Sequence, residues 1–181
     1  MESKPTHKDT VLLVVDLQEK FRPAINDFQE ISGNAVKLIR GFKILGLPVL
    51  LTEQYPEGLG GSVGEVREAC GCPAIEKTCF SCLKSPEVKQ ELDKINAGHL
   101  ILCGIEAHVC IIQTALEAKK QGYKVSLVLD AVGSRKTVDK EAAVSRAMQA
   151  GVYPETVEMV LFRLLKDANA NEFREISKLV K

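Results

Sequence analysis

Five consecutive apolar residues, Val11-Leu12-Leu13-Val14-Val15, constrain the fold of this chain more than any other feature. A strand with one wet face alternates polar and apolar residues. An unbroken, β-branched run needs burial on both faces, which is the habit of parallel sheets. Parallel strands in turn need crossover connections, usually helical. The chain supplies them. Ala35, Leu38, Ile39, Phe42 and Leu45 recur at helical spacing before Gly46, and Pro48–Thr52 reads as a second strand. Residues Glu53–Ser85, rich in glycine and holding four of the six cysteines, read as a loop region. Ser85-Pro86-Glu87 opens a helix with a capping hydroxyl, a first-turn proline and an acid against the dipole. His99–Gly104 reads as a strand, Val109–Gln121 as a helix, Val125–Leu129 as a strand ending at Asp130, and Thr137–Ala150 as a helix. Thr156–Phe162 is expected to be the last strand, before a final helix with Phe173, Ile176 and Leu179 inward. The alternation predicts a three-layer, doubly wound α/β fold with a mostly parallel sheet of about six strands.

No linker or repeat divides the 181 residues, so a single domain over 1–181 is expected. Lys plus Arg and Asp plus Glu both number 24, which leaves no positive excess for nucleic acid or an anionic membrane. No apolar run is long enough to span a bilayer, and the first ten residues lack the apolar core of a signal peptide. A cytoplasmic setting is therefore expected, with the six cysteines as reduced thiols.

In a doubly wound sheet, ligands bind beyond the carboxyl ends of the strands, where the strand order reverses. The residues that end strands are Asp16, Glu53, the Gly104–Cys110 turn and Asp130. No G-x-G-x-x-G follows the first strand, so a dinucleotide is not indicated. Cys110 starts a helix, where the dipole lowers a thiol pKa and exposed N–H groups can hold an oxyanion. Asp16, beside an apolar run, suits a general base. Lys77 by itself reads as an ordinary surface lysine.

Three segments change that reading. Val14-Val15-Asp16-Leu17-Gln18, Glu76-Lys77-Thr78-Cys79-Phe80-Ser81 and Gly104-Ile105-Glu106-Ala107-His108-Val109-Cys110 resemble, in order and spacing, the signatures of the isochorismatase-like cysteine hydrolases. That superfamily includes nicotinamidases and N-carbamoylsarcosine amidohydrolases. The resemblance implies an Asp-Lys-Cys triad on Asp16, Lys77 and Cys110, and an oxyanion hole from the backbone N–H groups of Glu106 and Cys110. It also implies a cis peptide joining Ile105 and Glu106, and attack by a cysteine thiolate on a small amide-type or related C–N substrate. Assembly into a homo-oligomer, a dimer or higher, is implied too. The apolar stretches Val157–Leu165 and Ile111–Leu116 point the same way, as more than one small sheet needs.

Where nicotinamidases carry an Asp-x-His metal pair, this chain has Glu53-Gln54-Tyr55, so no metal and no cofactor is expected. Substrate orientation then falls to hydrogen bonds from Gln54, Tyr55 or His108. Phe21, Phe28, Tyr55, Leu59 and Phe80 are the expected apolar walls, on loops 18–28 and 54–64 with loop 134–137. Cys110 argues against the vinyl-ether hydrolysis of isochorismate, whose enzymes commonly lack that cysteine. Two other functions are compatible with the sequence: a non-catalytic interaction module on the same fold, and a thiol redox or metal sensor built on Cys70, Cys72, Cys79 and Cys82.

Overall fold

The structure, a computed structural model, describes residues 9–181; His7, to which the sequence assigns no evident chemistry, lies outside them. Six strands form one sheet: β1 (Thr10–Val15), β2 (Val49–Gln54), β3 (Ile75–Lys77), β4 (His99–Ile105), β5 (Lys124–Gly133) and β6 (Tyr153–Glu155). Their order is β3-β2-β1-β4-β5-β6, and every neighbouring pair is parallel. The helices are α1 (Phe28–Ile44), α2 (Pro56–Leu59), α3 (Gly64–Cys70), α4 (Pro86–Ile95), α5 (Ile112–Lys120), α6 (Thr137–Gln149), α7 (Val157–Leu165) and α8 (Phe173–Val180).

β1 is buried at every residue. Leu12 and Val14 enter a core packed by α1, α3, α7 and α8, while Val11, Leu13 and Val15 enter a second core packed by α4, α5 and α6. That two-sided burial is why the run has no polar alternation. The chain lays down β1, β2 and β3 toward one edge, then returns to place β4 on the other side of β1. The switch point thus lies between the carboxyl ends of β1 and β4. Gly104 lets these strands meet closely: its φ is +116°, and a Cβ there would stand 2.0 Å from the Val15 carbonyl oxygen.

Two expectations are corrected. Val157–Leu165 is helix, not strand. Val157, Val160, Leu161, Leu164 and Leu165 are buried while Glu158, Met159 and Arg163 are exposed, so the helical period governs the run. Thr156 caps it, accepting from the Met159 N–H, and the Asp130 carboxylate accepts from the Val157 N–H at 3.0 Å. Asp130 is therefore a helix cap within β5 rather than a site residue at a strand end. The last strand is Tyr153–Glu155, too short to show as a pattern and formed by pairing with Ser126–Val128. The glycine-rich region is also more ordered than its composition suggests, holding α2, α3 and β3. Because Val157–Leu165 and Ile111–Leu116 fill the cores of the chain itself, they supply no argument for an oligomer.

Candidate active site

Asp16 follows the last residue of β1 in a left-handed conformation (φ 53°), which aspartate tolerates better than most residues. Lys77 ends β3, two strands away, and its side chain spans the end of β2 to reach Asp16. Cys110 lies in a single π-helical turn, Ala107–Ile111, between β4 and α5. The Ile105–Glu106 peptide leading into that turn is cis.

The Lys77 ammonium is the centre of the cluster. Its Nζ donates to Asp16 Oδ2 at 2.8 Å and to Gln54 Oε1 at 2.7 Å, and lies 3.8 Å from Cys110 Sγ. The carbonyls of Cys79 and Phe80 stand at 3.3 and 3.5 Å. The other Asp16 oxygen accepts the Thr52 hydroxyl at 2.7 Å, and that hydroxyl is 3.9 Å from Cys82 Sγ. The ion pair is sealed, its side chains 0% and 2% exposed. Burial works against the lysine's charge, but Cys82, Asp16 and Cys110 facing it more than restore that charge, and its pKa is raised. For Cys110 the outcome departs from expectation. Burial pushes the thiol above its ordinary range, the Asp16 carboxylate adds to the push, and Lys77 offsets only part of it. The resting group is a neutral thiol with a carboxylate at hand to take its proton.

Cys110 opens onto a cavity of about 400 Å³. Phe21, Leu59, Phe80, Ile105 and Val109 supply its apolar lining, and Asp16, Gln54, Cys110, Glu106 and Arg135 its polar groups. Glu106 Oε1 accepts from the Arg135 N–H at 3.1 Å and from its Nε at 2.9 Å. Other expected contacts lie elsewhere. Phe28, the first residue of α1, is buried in the core. Tyr55 is half exposed on a neighbouring groove with Thr78 and Cys79. His108 Nδ1 pairs with Ser134 Oγ at 3.0 Å, and its Nε2 is 3.8 Å from Asp139. A larger groove of about 730 Å³ runs between the start of α1 and α6; it shares Arg135 but holds none of Asp16, Lys77 and Cys110.

The segment that carries the metal pair in nicotinamidases does not fit an ion here. Glu53 Oε1 accepts the Ser62 N–H at 2.6 Å, and Gln54 is bound to Lys77. Among the described residues, no three His, Cys, Asp or Glu side chains gather as a ligand set. Cys70 belongs to one core and Cys82 to the other, on opposite faces of the sheet, so the four clustered cysteines cannot form one site. Thr52 and the structural side of Gln18 and Gln54 escaped sequence reasoning. The signal available was position alone, since Thr52 and Gln54 close the strand next to Asp16.

Comparison with known proteins agrees with this fold. Residues 10–159 match the isochorismatase domain profile. The chain is 41% identical over 175 residues to isochorismatase domain-containing protein 2A of Mus musculus, covering 96% of this chain and 84% of that one. A solved structure from Caenorhabditis elegans, described as MAR1 ribonuclease, superposes with a TM-score of 0.92 at 37% identity, covering 98% and 92% of the two chains. The Escherichia coli YcaC gene product, an octameric hydrolase of unknown specificity, superposes with a TM-score of 0.88 at 25% identity, covering 98% and 91%.

Proposed function

The chain belongs to the isochorismatase domain family, and from that premise we propose that it is a cysteine-dependent hydrolase of a small amide-type or related C–N substrate. The observation that carries the reading is the buried Lys77 ammonium, bonded to Asp16 and 3.8 Å from Cys110, which lines an apolar-walled cavity. Cys110 Sγ attacks the carbonyl carbon while its proton passes to Asp16. The carbonyl oxygen, now an oxyanion, takes N–H bonds from Glu106 and Cys110. The C–N bond breaks, Asp16 returns the proton to the departing nitrogen, and a thioester remains. Water then attacks the thioester, giving up its proton to Asp16, which reprotonates Cys110 as the acid leaves. Lys77 stays charged throughout and steadies the carboxylate and the sulfur.

A ribonuclease reading, suggested by the C. elegans neighbour, suits this chain less well. Its 24 basic and 24 acidic residues leave no excess for a polyanion, and the cavity is small and apolar-walled. Homo-oligomerisation is also proposed, supported by the octameric E. coli neighbour, and light scattering at micromolar concentration tests it.

The experiment is a screen of small amides and ureas, with labelled RNA as a further arm, read against Cys110→Ala. Turnover of an amide that Cys110→Ala abolishes is expected, and it should survive EDTA. RNA cleavage lost with Cys110, without amide turnover, overturns the reading. So does activity restored after chelation by one added metal.

A further inference from the structure

Lys77 has three N–H donors, and Asp16 accounts for one. Gln54 accepts another at 2.7 Å, the shortest contact the ammonium makes. The Gln54 amide has no freedom to turn round, because its Nε2 donates to the Thr78 carbonyl at 2.7 Å. Its oxygen must therefore face Lys77, and it also lies 4.0 Å from Cys110 Sγ. Gln18 holds Gln54 in turn. β1 leaves the sheet after Val15, so the end of β2 loses its strand neighbour. The side chain of Gln18, 0% exposed, takes that place. Its Oε1 accepts the Gln54 N–H at 2.8 Å and its Nε2 donates to the Gln54 carbonyl at 2.9 Å, the two bonds a further strand residue would make. The same Nε2 donates to the Gly60 carbonyl at 2.6 Å, tying in the end of α2, which carries Leu59.

We propose that Gln54, held by Gln18, is a positioning residue that aims the Lys77 ammonium at Cys110, rather than a substrate contact. With two donors fixed on Asp16 and Gln54, the third is left for the sulfur and the Cys79 and Phe80 carbonyls. An amide suits this place where a carboxylate does not. It accepts from Lys77 without neutralising it, so the ammonium keeps its attraction for a thiolate. The inference rests on the hydrolase reading for its purpose, but its test does not need turnover.

The test is the rate of Cys110 alkylation by iodoacetamide as a function of pH, followed by peptide mapping. Four proteins are compared: wild type, Gln54→Met, Lys77→Met and the double variant. Methionine keeps the reach of glutamine and removes the oxygen. Gln54→Met is expected to slow Cys110 alkylation about tenfold in the wild-type background and to change it less than twofold in Lys77→Met, because its effect runs through the lysine. An equal effect in both backgrounds, or none in either, overturns the proposal. If a substrate is in hand, Gln54→Met should lower kcat and leave KM within about twofold, while a rise in KM alone marks a substrate contact instead. Circular dichroism and thermal melting identify a variant that has not folded. Should Gln54→Met fail there, Gln54→Asn, which keeps the amide but falls short of Lys77, must show the same dependence on Lys77. Absence of turnover in every protein with the alkylation pattern intact would remove the hydrolase reading and leave the positioning role standing.

Discussion

Two buried thiols face the same ammonium, and they differ in one respect. Cys110 and Cys82 both lie beside Lys77, and burial raises both: Cys82 to about 11, with Lys77 opposing the rise, and Cys110 further. Cys82 is 0% exposed, its N–H donated to Thr114 Oγ1 at 2.9 Å and its sulfur against Thr52. Cys110 is 5% exposed, and that small opening faces the cavity. A charged neighbour does not by itself make a nucleophile. Access and a proton acceptor must coincide, and of these two thiols only Cys110 lines the cavity together with Asp16.

The largest effect expected is the sharpest form of this comparison. Cys110→Ala should lower turnover of any identified substrate by at least about 10³-fold, while Cys82→Ala should stay within about tenfold of wild type. Steady-state kinetics on both variants decides it, and equal losses would end the distinction. Removing the shared ammonium comes next. Lys77→Met leaves the Asp16 carboxylate buried without its partner, and urea unfolding should show a loss of about 3–5 kcal/mol. Lys77→Arg should retain more stability than activity, because a guanidinium cannot reproduce the three-way junction at Asp16, Gln54 and Cys110.

A smaller effect follows from the pH dependence of the buried thiols. Unfolded Cys82 ionises near the ordinary thiol range, whereas the folded group holds its proton to about 11. The folded state therefore binds more protons between those values, and stability is lost as pH rises through them, by about 2–3 kcal/mol. Cys70, raised to about 12 by burial, and Cys103 and Cys110 contribute with the same sign. Urea titrations at about pH 8.5 and pH 11 should show Cys82→Ala losing about 2 kcal/mol less than wild type over that interval. The smallest effect is kinetic. Under native conditions at neutral pH, iodoacetamide should label Cys110 roughly tenfold faster than Cys82, because Cys82 must await a local opening. Cys82 labelled first would break the comparison at its root.

Much of this could be read from residue order. The run Val11–Val15 implied a two-faced strand, and the structure buries it between two cores. Ser85 caps α4 by accepting from the Val88 N–H, as its place before Pro86 indicated. The misread element, Val157–Leu165, is dense enough in apolar residues to mimic a buried strand. Only its contact face, with Glu158, Met159 and Arg163 left outward, separates the two periods. β6 escaped notice for the opposite reason. Tyr-Pro-Glu has no strand signal, and its extended form comes from Ser126–Val128 beside it.

At the site the division is similar. Asp16, Lys77 and Cys110 could be picked out from three spaced segments, and strand order then explains why residues 61 and 33 positions apart meet. The protonation of Cys110 could not be read that way. A helix start and a nearby lysine argue for thiolate, but burial and the Asp16 charge outweigh them, and both depend on what packs around the sulfur. The same holds for Gln18, Gln54 and Glu53. Each has a polar side chain with several possible partners, and composition cannot say which it takes. Local sequence determined most of the strand–helix alternation and singled out Cys110 as the proposed nucleophile, because periodicity, caps and motifs act within a few residues. Only the tertiary structure decided the charge state of the thiol, the walls of the cavity and the partners of each amide, because desolvation and hydrogen bonding are set by neighbours distant in the chain.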